Sequence, residues 1–119
     1  MTNEQRAEAL INELGFEFDK IDRNYIRQLT EDEVKSFQEG SSEYIRLLCG
    51  YLFCIGDEAD IELIKKAKYN INFDVGCMID QEWIDSLANG GAAGDGIRSK
   101  DELIKTFVEY YRDFEADDF

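Results

Sequence analysis

The chain has 119 residues, 44% of them hydrophobic, with 27 acidic and 13 basic side chains and a formal net charge of -14. This length and composition exclude a disordered chain and predict one folded domain spanning residues 1–119. The strong negative charge disfavours binding to the phosphates of a nucleic acid.

The first segment has the pattern of a capped amphipathic helix. Thr2 and Gln5 have the spacing of a capping box, and Gly15 is a suitable helix terminator. Between them lies one apolar stripe, formed by Ala7, Leu10, Ile11 and Leu14. The pattern predicts a helix that packs this stripe against the core.

Two further helices are predicted before residue 41. Ile21, Tyr25 and Leu29 recur at four-residue spacing, which predicts a helix over about 19–29 with these side chains on one face. Thr30 and Glu33 repeat the capping-box spacing, so we expect a new helix to begin there and to end at Gly40.

Residues 42–55 form the most apolar segment and predict the central helix of the core. Gly50 lies inside this segment and costs helix stability, so we expect another backbone to pack closely there. Asp57 is a suitable cap for the next helix, after a turn of about two residues. Acids at the start of that helix and lysines at its end match the helix dipole.

This helical pair resembles one unit of a HEAT-like repeat over residues 51–67. Its leucine-rich helix ends in a Gly-Asp turn, and a second helix then opens with Ala59 and continues in aliphatic residues. The continuation through residues 65–80 is similar to segments of small uncharacterised bacterial helical proteins. The resemblance implies a scaffold for binding and carries no enzymatic activity.

Residues 69–75 alternate apolar and polar side chains, which is the period of a β-strand. Asparagine and aspartate are poor strand residues, so we expect an extended connection held by Ile71 and Phe73. A two-stranded sheet with residues 16–19, which would make the fold α+β, is the alternative. The fold expected overall is mainly α, a compact bundle or HEAT-like array of about six helices.

The last third of the chain predicts two more helices. Asp80 and Ser99 are suitable caps, and the glycine-rich loop 90–96 separates the two segments. An aromatic stripe follows Ser99 and is expected to dock on the core; it comprises Leu103, Phe107, Tyr110, Tyr111 and Phe114. Residues 115–119 are expected to fray.

The common catalytic and metal-binding patterns are absent from the sequence. The chain has no histidine, which excludes the Ser-His-Asp triad, Cys-His catalysis and the HExxH zinc motif. The spacing Asn70-x-Asn72-x-Asp74 matches the first calcium ligands of an EF-hand, but Val75 and Gln81 stand where glycine and glutamate are required. The sequence predicts no catalytic residue, no metal ligand and no cofactor.

The glycine-rich loop also invites comparison with a phosphate site, because Arg98, Ser99 and Lys100 follow it at a predicted helix start. The Lys-Ser/Thr pair of a P-loop is missing and the net charge opposes anions, so a flexible connector is favoured. The three cysteines are scattered and cannot form a complete disulfide set. We expect buried cysteines in a reduced, cytoplasmic protein with neither a signal peptide nor a membrane span.

What remains is a protein-interaction module for a basic partner, with an immunity- or inhibitor-type role as one concrete form. The predicted partner-binding acids lie at a helix start and in the tail: Asp57, Glu58, Asp60, Asp113, Glu115, Asp117 and Asp118. We expect these acids to be exposed and dispensable for folding. The alternatives are an enzyme that uses carboxylates and a divalent metal, and a structural homodimer without a ligand.

Overall fold

The computed structural model describes residues 1–118, and within this range the chain is mainly helical and contains no β-strand. Its seven α-helices are α1 (Asn3–Leu14), α2 (Arg23–Lys35), α3 (Glu43–Ile55), α4 (Ile61–Asn70), α5 (Phe73–Met78), α6 (Gln81–Ala88) and α7 (Lys100–Tyr111). Short 3-10 turns occupy Phe18–Lys20, Glu58–Asp60 and Ala116–Asp118. The mainly α prediction is confirmed, and the two-stranded alternative is wrong for these residues.

Most of the predicted helix caps are confirmed, because capping is a local interaction. Thr2 and Gln5 exchange two hydrogen bonds at the start of α1, of 2.8 and 3.0 Å. Asp80 and Ser99 each accept a hydrogen bond from a first-turn amide, of α6 and α7 respectively. Asp57 caps the 3-10 turn that precedes α4.

The predicted boundary at Thr30 is wrong, because the two helices expected over 19–40 are one continuous helix, α2. Asp22 accepts a hydrogen bond from the Asn24 amide and begins this helix. Thr30 lies in its interior, buried, and its hydroxyl donates to the carbonyl of Ile26 at 2.7 Å. A threonine that bonds within the preceding turn cannot cap a new one.

The buried face of α2 also differs from the predicted one. Ile26, Thr30 and Glu33 are its buried residues, whereas Tyr25 is 40% exposed. The Glu33 carboxylate, expected in a capping box, instead accepts two hydrogen bonds from the Arg6 guanidinium, of 2.7 and 2.9 Å. This pair joins α2 to α1.

The extended connection predicted near residues 69–75 is wrong as well. α4 runs to Asn70, and α5 begins at Phe73 after a break of two residues. The side chain of Asn72 accepts a hydrogen bond from the Val75 amide at 2.9 Å and so caps α5. The apolar–polar alternation here comes from the end of α4, the cap residue Asn72 and the start of α5, and it does not indicate a strand. Phe73, expected to hold the connection to the core, is 87% exposed.

α3 is the central helix of the core, as predicted. Eleven of its thirteen residues are buried, and α1, α2, α4, α5 and α6 all contact it. At Gly50 the close neighbour is the Phe107 ring of α7 and not a backbone, because a Cβ at Gly50 would overlap that ring. The absence of a side chain at Gly50 therefore lets α7 approach α3.

Aromatic packing joins α3, α6 and α7. Trp83 of α6 stacks on Phe53 of α3 with ring centroids 6.0 Å apart, and it meets Phe107 edge-on at 5.9 Å. Leu103, Phe107 and Tyr111 of α7 are buried, while Tyr110 is 43% exposed. The aromatic stripe of α7 therefore packs mainly into the chain's own core.

The connection from α3 to α4 is longer than the predicted two-residue turn. It spans residues 56–60 and contains the 3-10 turn Glu58–Asp60. No described helix is long and apolar enough to span a membrane.

The chain end was expected to fray, but Ala116–Asp118 forms a 3-10 turn that packs against α1. The backbone amide of Ala116 donates a hydrogen bond to the Glu8 carboxylate at 3.0 Å. Phe114 is partly buried against the core just before this turn. The prediction for Phe119 lies outside the described residues.

Candidate partner-binding surface

The first candidate surface is the acidic surface at the C-terminal turn, which consists of Glu8, Asp113, Glu115, Asp117 and Asp118. The last four side chains are exposed, as predicted. Within residues 1–118 none of the five forms an ion pair. The hydrogen bond from Ala116 to Glu8 brings the tail and α1 together. The four tail carboxylates are exposed and can meet a cationic surface.

Asp57 and Glu58 lie apart in the sequence from the tail and border a different feature. They are exposed, and they line a cavity of about 420 Å³ together with Ser86 of α6 and Lys100 of α7. The Lys100 ammonium donates to the carbonyl of Gly56 at 3.2 Å. The cavity wall therefore contains both charge signs, and its acids are partly offset by Lys100.

Asp60, predicted to be an exposed binding residue, is completely buried, so this prediction is wrong. Its carboxylate accepts hydrogen bonds from Arg23 Nε at 3.0 and 3.2 Å and also pairs with Arg27. The backbone amide of Asp57 donates to it at 3.0 Å. Asp60 joins α2 to the start of α4 and has no free oxygen to offer a partner.

The charge state of Asp60 follows from this environment. Burial alone would raise the pKa of its carboxyl, but the hydrogen bonds from Arg23 and Arg27 outweigh burial and lower that pKa. The hydrogen bond to Asp60 in turn raises the pKa of the Arg23 guanidinium. Asp60 is therefore an ionised structural residue.

A second buried carboxylate is equally structural. Glu43 at the start of α3 accepts hydrogen bonds from the hydroxyls of Tyr110 at 2.7 Å and Tyr111 at 3.2 Å. The guanidinium of Arg46 lies over the Tyr110 ring, 4.4 Å from its centroid. Burial and the hydrogen bond to Glu43 raise the pKa of Tyr110 to about 12. This cluster fixes α7 on α3.

The basic residues after the glycine-rich loop do not converge on one site. Arg98 donates to the Glu82 carboxylate at 2.6 and 3.1 Å, whereas Lys100 points to the Gly56 carbonyl. Ser99 is occupied as the cap of α7. An anion at this loop would have to compete with Glu82 for Arg98.

The oxygens of the calcium-like spacing are engaged in the fold. Asn72 Oδ1 accepts from the Val75 amide at 2.9 Å, and the Asp74 carboxylate accepts from the Ser42 hydroxyl. The first bond caps α5, and the second ties its first turn to the start of α3. The spacing is explained by capping and by contact with α3.

Two surface features escaped the sequence interpretation. Glu8 is one of three acids on α1, and no sequence signal connects it with a tail more than 100 residues away. The second feature is the exposed pair Tyr69 and Phe73, of which the sequence predicts Phe73 to hold an extended connection on the core. The helix cap at Asn72 was the available signal, since a capped α5 turns Phe73 away from Val75.

Comparison of the chain with protein-family models, curated proteins and solved structures found no match.

Proposed function

We propose that this domain is a protein-interaction module that binds a basic partner through the acidic surface at the C-terminal turn. The observation that carries the proposal is the contact between Ala116 and Glu8, because it holds the tail acids against a rigid helix. A pre-organised surface loses less conformational entropy on binding than a free tail.

The overall charge supports the same proposal. A net charge of -14 generates a field that attracts cationic proteins over distances comparable to the Debye length, which is about 8 Å at physiological salt. Such steering raises association rates and makes them depend on salt.

Asp57 and Glu58 are a secondary part of this proposal. Both are exposed, and Asp57 has Arg23 at 3.6 Å as its nearest cation. This neighbour and Lys100 lower their capacity to attract a partner. We therefore assign the main binding role to the tail acids.

An immunity- or inhibitor-type role against a basic toxin or nuclease is the concrete form of this proposal that fits a small acidic helical domain. Support for it comes from charge and size, together with the helical scaffold that the HEAT-like hairpin resemblance implies. A carboxylate- and metal-dependent enzyme is less favoured, because the buried acids Glu33, Glu43 and Asp60 are all engaged in structural bonds.

The test compares two variants that remove the same amount of charge. One neutralises the tail (D113N, E115Q, D117N and D118N), and the control neutralises other exposed acids (D19N, E39Q, D95N and D101N). Both are used as bait for lysate of the native host at low and moderate salt, with bound proteins identified by mass spectrometry. Melting temperatures verify folding.

We expect a specific basic protein to be captured by the unmodified domain and by the control variant, and to be lost from the tail variant. Equal loss from both variants would show a bulk charge effect and contradict a defined surface. Retention by both would show that the tail acids take no part in recognition.

A further inference from the structure

A second surface stands apart from the acidic one in both chemistry and position in the chain. We call it the aromatic–lysine surface, and it consists of Lys65, Lys66, Tyr69, Phe73 and Cys77. Phe73 is 87% exposed and Tyr69 62% exposed, the largest values for any aromatic side chain in residues 1–118. Tyr69, Phe73 and Cys77 line one cavity of about 520 Å³.

The helices beneath this surface are fixed. The Lys68 ammonium donates to the carbonyls of Gly76 and Ile79, each at 2.5 Å, and so ties α4 to the end of α5. Val75 and Ile79 are buried beneath the surface. The exposed aromatic rings are therefore presented by a rigid support, which reduces the entropy lost on binding.

Hydrogen bonding also restrains Tyr69. Its hydroxyl donates to the Gln81 side chain at 2.8 Å, so the ring is held next to the opening of the cavity. An amphipathic ring with a fixed polar end is a typical interface anchor, because it buries large area at low entropic cost.

Charge determines what such a surface would attract. Lys65 and Lys66 are exposed, and neither forms an ion pair within residues 1–118. They precede Tyr69 by four and three residues, so they lie next to it on the surface of α4. α4 carries three lysines and one acid, Glu62, so it is a locally cationic region in a chain of net charge -14.

We propose that the aromatic–lysine surface binds an acidic protein segment that carries an aromatic or aliphatic anchor. The anchor packs between Tyr69 and Phe73, and carboxylates of the segment pair with Lys65 and Lys66. The charge complementarity is opposite to that of the acidic surface, so this proposal does not rest on the proposed function. An anionic membrane is the less favoured occupant, because its extended negative surface would face much more of this acidic chain than a short segment does.

The probe is a short synthetic peptide of aspartate and glutamate with one central tryptophan. Matched probes replace the tryptophan with serine, or the acids with lysine. Binding is followed by fluorescence anisotropy, and the site is mapped by amide chemical shifts of the labelled domain. Vesicles with anionic headgroups form a separate arm.

Two substituted domains test the charge and the anchor, each beside a control of the same chemistry. K65E/K66E is compared with K35E/K105E, which alters two other exposed lysines. F73S is compared with I97S, which removes an apolar side chain that is 47% exposed. All the substituted sites are exposed, so folding is expected to be retained in each variant.

We expect shifts confined to α4 and α5, and a loss of affinity of about tenfold or more for K65E/K66E and for F73S. The controls and the tail-neutralised domain should bind the peptide as the unmodified domain does. The proposal is overturned by an absence of peptide binding, by shifts elsewhere, or by equal loss in the controls. It is also overturned if the peptide with serine in place of tryptophan binds as tightly as the original peptide. Binding of anionic vesicles but not of the peptide, lost in F73S, would overturn it as well.

Discussion

Phe107 of α7 occupies the space that a side chain at Gly50 of α3 would need. Gly50→Ala should therefore destabilise the domain, although alanine favours a helix by about 1 kcal/mol over glycine. Overpacking a rigid core typically costs about 1–3 kcal/mol, so after the gain in helix propensity we expect a net loss of up to about 2 kcal/mol in urea unfolding.

The matching control removes the ring. Phe107→Ala should cost about 3–5 kcal/mol alone, and adding Gly50→Ala to it should cost nothing further. A stabilised Gly50→Ala single variant would contradict the close packing of α7 on α3.

Asp60→Asn should destabilise the fold by about 2 kcal/mol near neutral pH, because the buried carboxylate loses its charge-assisted hydrogen bonds to the partly exposed Arg23 and Arg27. Asp57→Asn is the control, since Asp57 is exposed and asparagine caps equally well. Its cost should stay below about 1 kcal/mol. Equal costs in chemical unfolding would refute the structural role of Asp60.

The same carboxylate predicts a pH dependence. The pKa of Asp60 in the folded chain lies below its ordinary value of 3.8. Its stabilising contribution is therefore complete above that ordinary value and is lost as the pH falls through the lowered one. Unfolding measured from pH 6 downward should show a smaller acid dependence in Asp60→Asn than in Asp57→Asn. Parallel curves would contradict the assignment.

Only one of the three cysteines should react in the folded chain. Cys77 is exposed, whereas burial raises the pKa of the Cys49 and Cys54 thiols to about 12. The thiolate is the reactive form, so at pH 8 we expect one fast thiol per chain with an aromatic disulfide reagent. Cys77→Ser should abolish this fast reaction, and denaturant should release the two others. Fast labelling of the Ser variant would show that the core is open.

Glu31→Pro distinguishes one continuous α2 from two helices. If Thr30 were a helix cap, residue 31 would be the first helical position, where proline is tolerated. In the interior of α2, proline removes a hydrogen bond and should cost about 3 kcal/mol or more. Gln81→Pro, at the first position of α6, is the control and should cost less than about 1 kcal/mol. A tolerated Glu31→Pro would restore the boundary at Thr30.

The features that the sequence predicted well are local ones. The caps at Thr2, Asp80 and Ser99 involve only residues within one helical turn. The apolar composition of α3 is enough to predict a buried helix. Short-range hydrogen bonds and periodicity determine such features, so they can be identified without knowing the tertiary contacts.

The features that could not be predicted from the sequence depend on partners distant along the chain. Asp60 has an unremarkable position at a helix start, and only its arginine partners on α2 make it a buried residue. Thr30 has a cap's spacing, but packing of α2 on α3 favours continuing the helix. The contact between Glu8 and Ala116 joins the two ends of the fold. No local pattern encodes these pairings.

The position of Phe107 also bears on how the domain is made. Synthesis proceeds from the N-terminus, so α3 leaves the ribosome long before α7 exists. Until Phe107 emerges, the groove at Gly50 and the apolar side of α3 around it remain open to solvent. This side of α3 therefore stays uncovered by α7 while residues 56–106 are being synthesised, and the core closes only near the end of translation.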